Sequence, residues 1–169
     1  MEEGKFAQYL VKHAVPIVVG PGRIFYMTDH HHLSRALWEA QVDHVALEIQ
    51  KDWSGLSQSE FWRRMSEAHW VYLYDENGTG PRSPEELPTS VMHLSDDLYR
   101  GLSWFVCKQE GAFEDVSTVP YSSFIWANYF RAKIPLTLLM GDFDQAIQEG
   151  VKWARSPSAS ALPGYMGEQ

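Results

Sequence analysis

Three consecutive histidines, His30, His31 and His32, directly follow an aspartate, Asp29. Imidazoles donate hydrogen bonds, ligate metals and transfer protons close to neutral pH. A carboxylate beside them can accept hydrogen bonds from backbone N–H groups or hold a hard cation such as Mg²⁺. These residue types in one short stretch suit the recognition of a phosphate group and acid/base chemistry on it.

The flanking sequence predicts the elements that position the histidines. Two short apolar runs, residues 16–20 and 24–27, lie on either side of the turn dipeptide Pro21-Gly22 and predict two strands. After the histidines, apolar residues at helical spacing predict a helix to about residue 41. Asp29 stands at the N-cap position, where its carboxylate is expected to accept from the backbone N–H of His31 or His32. A strand-to-helix junction of this kind favours anions, because free N–H groups and the helix dipole converge there.

The segment from Asp29 to Leu33, placed after a hairpin, resembles the signature of the ParB/sulfiredoxin superfamily. That signature is Gly-Glu-Arg-Arg in ParB, Gly-Cys-His-Arg in sulfiredoxin and Asp-Gly-His-His-Arg in the ADP-dependent free-serine kinase. His30 aligns with the glycine, His31 and His32 with the two functional positions, and Leu33 with the final arginine. The branch called putative ParB-like nucleases is the most similar, because it also has segments like 95–100 and 124–131. The resemblance covers about residues 14–135.

The resemblance implies that this site binds the phosphates of a nucleotide, since superfamily members bind CTP, ATP or ADP there. Leu33 removes the arginine that grips phosphate in those proteins. Arg35, one turn after the histidines, could replace the lost charge. The alternative interpretation of Arg35 is a solvated surface arginine.

Two further polar residues, Asn128 and Arg131, fall on a predicted helix that is apolar nearly all round. Buried polar groups need partners, since an unpaired one costs about 1–3 kcal/mol. In one interpretation both residues line the cavity above the histidines and bind the ligand. In the other, Arg131 pairs with an acidic residue such as Asp29 or Glu48 and has a structural role.

If the protein is an enzyme, the expected reaction is phosphoryl transfer or phosphodiester hydrolysis, because imidazoles and a helix N-terminus stabilise charge on phosphate oxygens. His32 would hold the phosphate and His31 would act as the acid/base. Asp29 would either cap the helix or hold Mg²⁺ with a bound nucleotide. The competing hypothesis is a non-catalytic interaction or regulatory module that kept the fold and lost the reaction.

The composition of the chain indicates which class of ligand and which cellular location to expect. The chain of 169 residues has a formal net charge of −8 and no basic cluster. Proteins that bind duplex DNA present a basic face, so DNA is disfavoured and a small phosphorylated ligand or nucleotide is favoured. The single cysteine, Cys107, excludes an internal disulfide. Without an apolar run of membrane-spanning length or a signal-peptide pattern, a cytoplasmic protein is expected. The sequence does not define an oligomeric state.

The predicted architecture is a mixed α/β (α+β) fold with a small mixed sheet and a helical C-terminal half. We expect one domain over residues 1–155, with a sheet-containing core at about 14–75 and a helical half at 91–155. Residues 156–169, rich in Ser, Pro and Gly, predict a flexible tail. Two further strands are predicted at residues 45–50 and 70–74. Helices are predicted at 5–13, 121–133 and 143–155, and two more are predicted to start at Ser57 or Ser59 and at Ser95.

Overall fold

The computed structural model describes residues 3–167. The chain forms two compact units, a first unit of residues up to 73 together with 81–94, and a second unit of residues 74–80 together with those from 95 onward. None of the helices within residues 3–167 has the length and apolar character that a membrane span requires.

The first unit contains the three strands and three of the α-helices. In chain order its elements are α1 (Glu3–Lys12), β1 (Val15–Val19), β2 (Phe25–Met27), α2 (His31–Glu39), β3 (Leu47–Asp52) and α3 (Gln58–Glu67).

The strands form one sheet in the order β2-β1-β3. The central strand β1 is antiparallel to β2, with Val19 opposite Phe25, and parallel to β3, with Val15 opposite Leu47. All five residues of β1 are buried, as expected for a strand covered on both faces. The predicted small mixed sheet is therefore confirmed.

The helix α3 packs on this sheet through aromatic and aliphatic side chains. Phe61 and Met65 are buried with Val18 of β1. Ser57 caps the helix, its hydroxyl accepting from the backbone N–H of Glu60 at 3.3 Å. Capping residues of this type stabilise a helix start by about 1 kcal/mol. Of the two predicted starts, Ser57 is the correct one.

The strand predicted at residues 70–74 is wrong, because these residues belong to none of the strands within residues 3–167. The backbone N–H of Trp70 donates to the carbonyl of Met65 at 3.0 Å. The Trp70 ring lies 5.6 Å from the ring of Trp53 and joins the cluster around Phe61. Its alternating apolar residues therefore reflect packing on α3 rather than a place in the sheet.

The second unit is helical, as predicted. Its helices are α4 (Leu98–Lys108), α5 (Ser122–Arg131), α6 (Leu136–Gly141) and α7 (Phe143–Arg155). The core includes Leu102 and Val106 of α4 and Trp126 and Phe130 of α5. The ring of Phe113 stacks on Trp126 with 3.9 Å between centroids. The bounds of α7 match the prediction, whereas α6 was not predicted.

The segment predicted to be a flexible tail instead packs on the second unit as far as residue 167; residues 168 and 169 lie outside the described residues. Ala159 is fully buried. The indole N–H of Trp126 donates to the carbonyl of Pro163 at 2.8 Å, and the backbone N–H of Glu114 donates to the carbonyl of Gly164 at 2.8 Å. The prediction failed because Ser, Pro and Gly content marks irregular backbone, and irregular backbone is ordered wherever it finds such partners.

Candidate functional site

The turn that starts α2 is made by His30, whose backbone is left-handed with φ 64° and ψ 28°. His30, rather than the predicted Asp29, is the N-cap residue, and its side chain does not cap the helix. The carboxylate of Asp29 accepts from the backbone N–H of His30 at 2.7 Å. The predicted N-cap position is one residue too early, because the left-handed residue His30 stands between Asp29 and the first helical turn.

This turn also explains the glycine at the aligned position of the superfamily signature. Glycine adopts a left-handed backbone freely, whereas a side chain adds a cost of about 1 kcal/mol. His30 adopts the left-handed conformation despite this cost. Its Nδ1 atom is buried with no hydrogen-bond partner among residues 3–167. A buried nitrogen without a partner is a second local cost at the same residue.

Hydrogen bonds with residues of the strands hold the junction between β2 and α2 in place. The Thr28 hydroxyl donates to the side-chain oxygen of Gln50 at 2.7 Å, and the Thr28 N–H donates to the carbonyl of Pro16 at 3.0 Å. The buried hydroxyl of Ser34 donates to the sulfur of Met27 at 3.2 Å. These contacts fix the start of α2 against the sheet and so fix the position of the histidines.

His31 and His32 occupy the first two positions of α2, and both are exposed to solvent. The first turn contains no acidic side chain. A helix N-terminus carries roughly half a positive charge, which acidic residues in the first turn often offset. In α2 the carboxylate of Asp29, which precedes the helix, accepts from the backbone N–H of His30 beside this positive end.

Arg35 is bound within the first unit and is not the solvated arginine of the second interpretation. Its Nε atom pairs with Glu39 at 2.7 Å, and one Nη atom donates to the carbonyl of Met92 at 2.6 Å. The guanidinium also lies over the ring of Trp38, 5.0 Å from the ring centroid. These contacts hold α2 to the segment around residue 92. Arg35 is therefore engaged by these partners, and its replacement of the missing signature arginine stays a prediction.

Asn128 and Arg131 lie in the second unit and contact each other there. Arg131 forms an ion pair with Asp97, with 2.7 Å between Nη2 and Oδ1, and both side chains are largely buried. It also donates to the carbonyl of Glu76 at 3.3 Å and lies over the ring of Tyr99. Arg131 therefore pairs with an acidic residue, as the structural interpretation expected, but that residue is Asp97 instead of Asp29 or Glu48.

Asp97 is the central residue of this second polar cluster, and the sequence reasoning missed its role. It caps α4, accepting from the backbone N–H groups of Tyr99 at 3.0 Å and Arg100 at 3.3 Å. The predicted cap was Ser95. The preference of aspartate for N-cap positions was a usable signal, but pairing with Arg131, 34 residues away, leaves no local trace in the sequence.

The Tyr99 side chain reinforces the same cluster. Its hydroxyl donates to the carbonyl of Ile134 at 2.7 Å. Burial raises the pKa of the Tyr99 phenol above its usual value, with the Arg131 guanidinium acting in the opposite direction. The phenol therefore stays a neutral donor across the physiological range.

The described part of the chain offers few side chains that could bind a metal ion. No three His, Cys, Asp or Glu side chains come together there in a metal-binding arrangement. Mg²⁺ usually keeps several waters and takes one or two carboxylates plus substrate phosphates. Asp29 can thus hold Mg²⁺ only together with a bound phosphate, and this role stays a prediction.

The mixed sheet and the strand-to-helix junction with its histidines define the class of protein that the resemblance implied. A family model described as "Putative ParB-like nuclease" matches residues 1–132. The chain belongs to this ParB-like family.

A solved structure supports the same fold. The crystal structure of protein Atu1540 from Agrobacterium tumefaciens is 34% identical in sequence and aligns with a TM-score of 0.86. The alignment covers 99% of this chain and 86% of that chain. Comparison with curated proteins gave no match.

Proposed function

We propose that the amino end of α2 binds the phosphate group of a small phosphorylated ligand or nucleotide. The observation that carries the proposal is the start of α2, where two exposed histidines follow a left-handed turn and no acidic side chain stands in the first turn. A phosphate there would interact with the positive end of the helix dipole and with imidazole donors. Membership of the ParB-like family supports the same location.

Each residue of the stretch has a proposed role. His32 holds the phosphate together with backbone N–H groups of the first turn. His31 is the acid/base if a reaction follows. Asp29 supports the turn through its bond to the His30 N–H and takes Mg²⁺ when a nucleotide brings it.

The engagement of Arg35 with Glu39 and Met92 makes the imidazoles the main side-chain source of positive charge at this site. An imidazole N–H donates a hydrogen bond to a phosphate oxygen, so we expect phosphate binding to depend on His31 and His32 more than on Arg35.

The proposed reaction is phosphoryl transfer or phosphodiester hydrolysis on a small substrate. The family description contains the word nuclease, but the net charge of −8 opposes binding of a long polyanion. A nucleotide needs only a local anion site. The substrate class we favour is therefore a mononucleotide or another small phosphate ester.

A thermal-shift screen tests this proposal. The probes are inorganic phosphate, ADP, ATP and CTP, each with and without Mg²⁺, and a short DNA duplex. We expect at least one nucleotide to raise the melting temperature, with a smaller rise for His32→Ala. The turnover of any substrate found should fall mainly with His31→Ala.

His44→Ala is the matched control, because His44 is an exposed histidine of the first unit outside α2. It should behave as the unmodified protein. Equal shifts for His31→Ala, His32→Ala and the unmodified protein would show that the histidines do not bind the ligand. A salt-sensitive shift with the duplex and none with nucleotides would reverse the preference for a small ligand.

A second candidate function is a non-catalytic interaction module. It is favoured by an exposed aromatic group in the second unit, where Trp104 and Phe143 each contact Phe105 edge to face and remain accessible to solvent. Exposed aromatic clusters mark interaction surfaces more often than chance. Absence of any nucleotide or phosphate shift in the screen would favour this function.

A further inference from the structure

The outer edge of β3 is open. Within residues 3–167, β3 has a strand neighbour on one side only, namely β1. Its aliphatic side chains are unusually accessible, with Leu47 46% and Ile49 60% exposed. An open strand edge presents backbone donors and acceptors that can pair with another strand.

The backbone groups that face outward can be assigned from the bonds to β1. The N–H of Val15 donates to the carbonyl of Ala46 at 2.8 Å, and the N–H of Trp53 donates to the carbonyl of Val19 at 2.7 Å. Successive residues of a strand direct their backbone groups to opposite sides. The groups of Leu47 and Asp52, which adjoin Ala46 and Trp53, therefore point away from β1.

A bulge in β3 places two opposite charges on one face of the sheet. Glu48 lies opposite Pro16 of β1, and Lys51 lies opposite Val18, because the register shifts by one residue between them. Pro16 and Val18 are two apart and share a face. Glu48 and Lys51 therefore also share a face, although they are three residues apart.

We propose that β3 pairs antiparallel with β3 of a second copy of this chain. In this two-fold arrangement Leu47 lies opposite the partner's Asp52, and Glu48 lies opposite the partner's Lys51. The outward-facing groups of Leu47 and Asp52 form the hydrogen-bonded pair. The pair between Glu48 and the partner's Lys51 is not hydrogen-bonded, and such pairs bring side chains closest, at about 4.5 Å between Cα atoms.

The charge pattern is what identifies the occupant as a second copy. Two-fold symmetry makes every contact occur twice, so the pairing creates two reciprocal ion pairs between Glu48 and Lys51. It also covers the exposed Leu47 and Ile49 and joins two three-stranded sheets into one of six strands. Bulges often discourage edge pairing; here the bulge is the feature that aligns Glu48 and Lys51.

Charge reversal tests this pairing directly. Sedimentation equilibrium would be measured for the unmodified protein, Glu48→Lys, Lys51→Glu and the double variant that exchanges both charges. We expect a dimer in the unmodified protein. Each single reversal should weaken it by about tenfold in Kd, because two attractive pairs become repulsive. The double variant should restore it, because the exchanged charges again face each other.

Glu110→Lys is the control for Glu48→Lys, since it changes the net charge by the same amount at an exposed position outside β3, and it should leave the Kd unchanged. Circular dichroism of the variants checks that the fold is retained. The proposal is overturned if the unmodified protein stays monomeric up to about 1 mM, far above the Kd of a micromolar complex. It is also overturned if a dimer forms that neither single reversal weakens, or if the double variant stays as weak as the single ones.

Discussion

Two groups of polar residues were candidates for one ligand site in the sequence analysis. Their surroundings in the structure differ. In the second unit, Arg131 is largely buried and bound to Asp97, Asn128 and the carbonyl of Glu76. At the start of α2, His31 and His32 are exposed on a helix whose first turn has no acidic side chain.

This contrast separates a structural cluster from a candidate binding site. The Asp97 carboxylate caps α4 and neutralises Arg131, so any ligand that used Arg131 would have to break both roles. A ligand phosphate at α2 would add the negative charge that a helix start favours, at a first turn that has no acidic side chain. We therefore expect substitutions in the second unit to affect stability, and substitutions of the histidines to affect binding.

The largest effect is expected for Gly164→Ala, in the segment that packs on the second unit. Gly164 has φ 74°, and a Cβ atom would lie 2.1 Å from the carbonyl oxygen of Glu114. Strain and backbone clash together should cost about 3 kcal/mol in the free energy of unfolding, measured by urea denaturation. Gly111→Ala, also at positive φ but with open space around it, should cost only about 1 kcal/mol. Equal effects would show that the segment is not packed as described.

Arg131→Ala comes next, with an expected loss of about 2 kcal/mol. The variant leaves Asp97 without its ion pair, although the carboxylate keeps two backbone hydrogen bonds. Urea denaturation again gives the free energy. Lys152→Ala, which breaks an exposed pair with Glu149, should cost less than about 0.5 kcal/mol. A neutral Arg131→Ala would contradict the structural role.

Tyr99→Phe should cost about 1 kcal/mol, because the carbonyl of Ile134 loses its donor. The raised pKa of Tyr99 adds a pH signature with a definite sign. The folded state holds the phenol proton more tightly than the unfolded state does, so this stabilisation is complete below pH 10 and is lost as the pH rises above it. The loss should be smaller in Tyr99→Phe. Identical alkaline profiles for the two proteins would contradict the assignment.

His30→Gly tests the comparison at the start of α2. Glycine removes the cost of the left-handed backbone and the buried Nδ1 atom without a partner. We expect a gain of about 0.5–1 kcal/mol in the free energy of unfolding, measured by thermal and urea denaturation. Such a gain would show that His30 is a strained position at the start of α2. A loss would mean that the His30 side chain makes a contribution that outweighs its strain.

The elements that were predicted correctly are those with a local pattern. The helix from 143 to 155 and the sheet around β1 follow from the spacing of apolar residues, which one periodic segment is enough to show. The strand predicted at 70–74 failed because Trp70 packs on Trp53, a contact between distant positions.

The candidate site was predictable in position but not in its contacts. A strand, a polar signature and a helix locate the start of α2 from local sequence alone. The left-handed turn at His30 was not foreseen, because only a few per cent of non-glycine residues adopt a positive φ. The long-range partners of Arg35 and Arg131, namely Met92 and Asp97, lie 57 and 34 residues away along the chain, and a single sequence contains no signal for such pairs.

The most direct test of the central claim is isothermal titration calorimetry of the nucleotide that gives the largest thermal shift, with the unmodified protein, His32→Ala and Arg131→Lys. We predict that His32→Ala lowers the affinity by about tenfold, the equivalent of one charge-assisted hydrogen bond, while its stability changes by less than about 0.5 kcal/mol. Arg131→Lys should lower stability and leave the affinity unchanged. Full affinity in His32→Ala, together with lost affinity in a folded Arg131→Lys, would contradict the account.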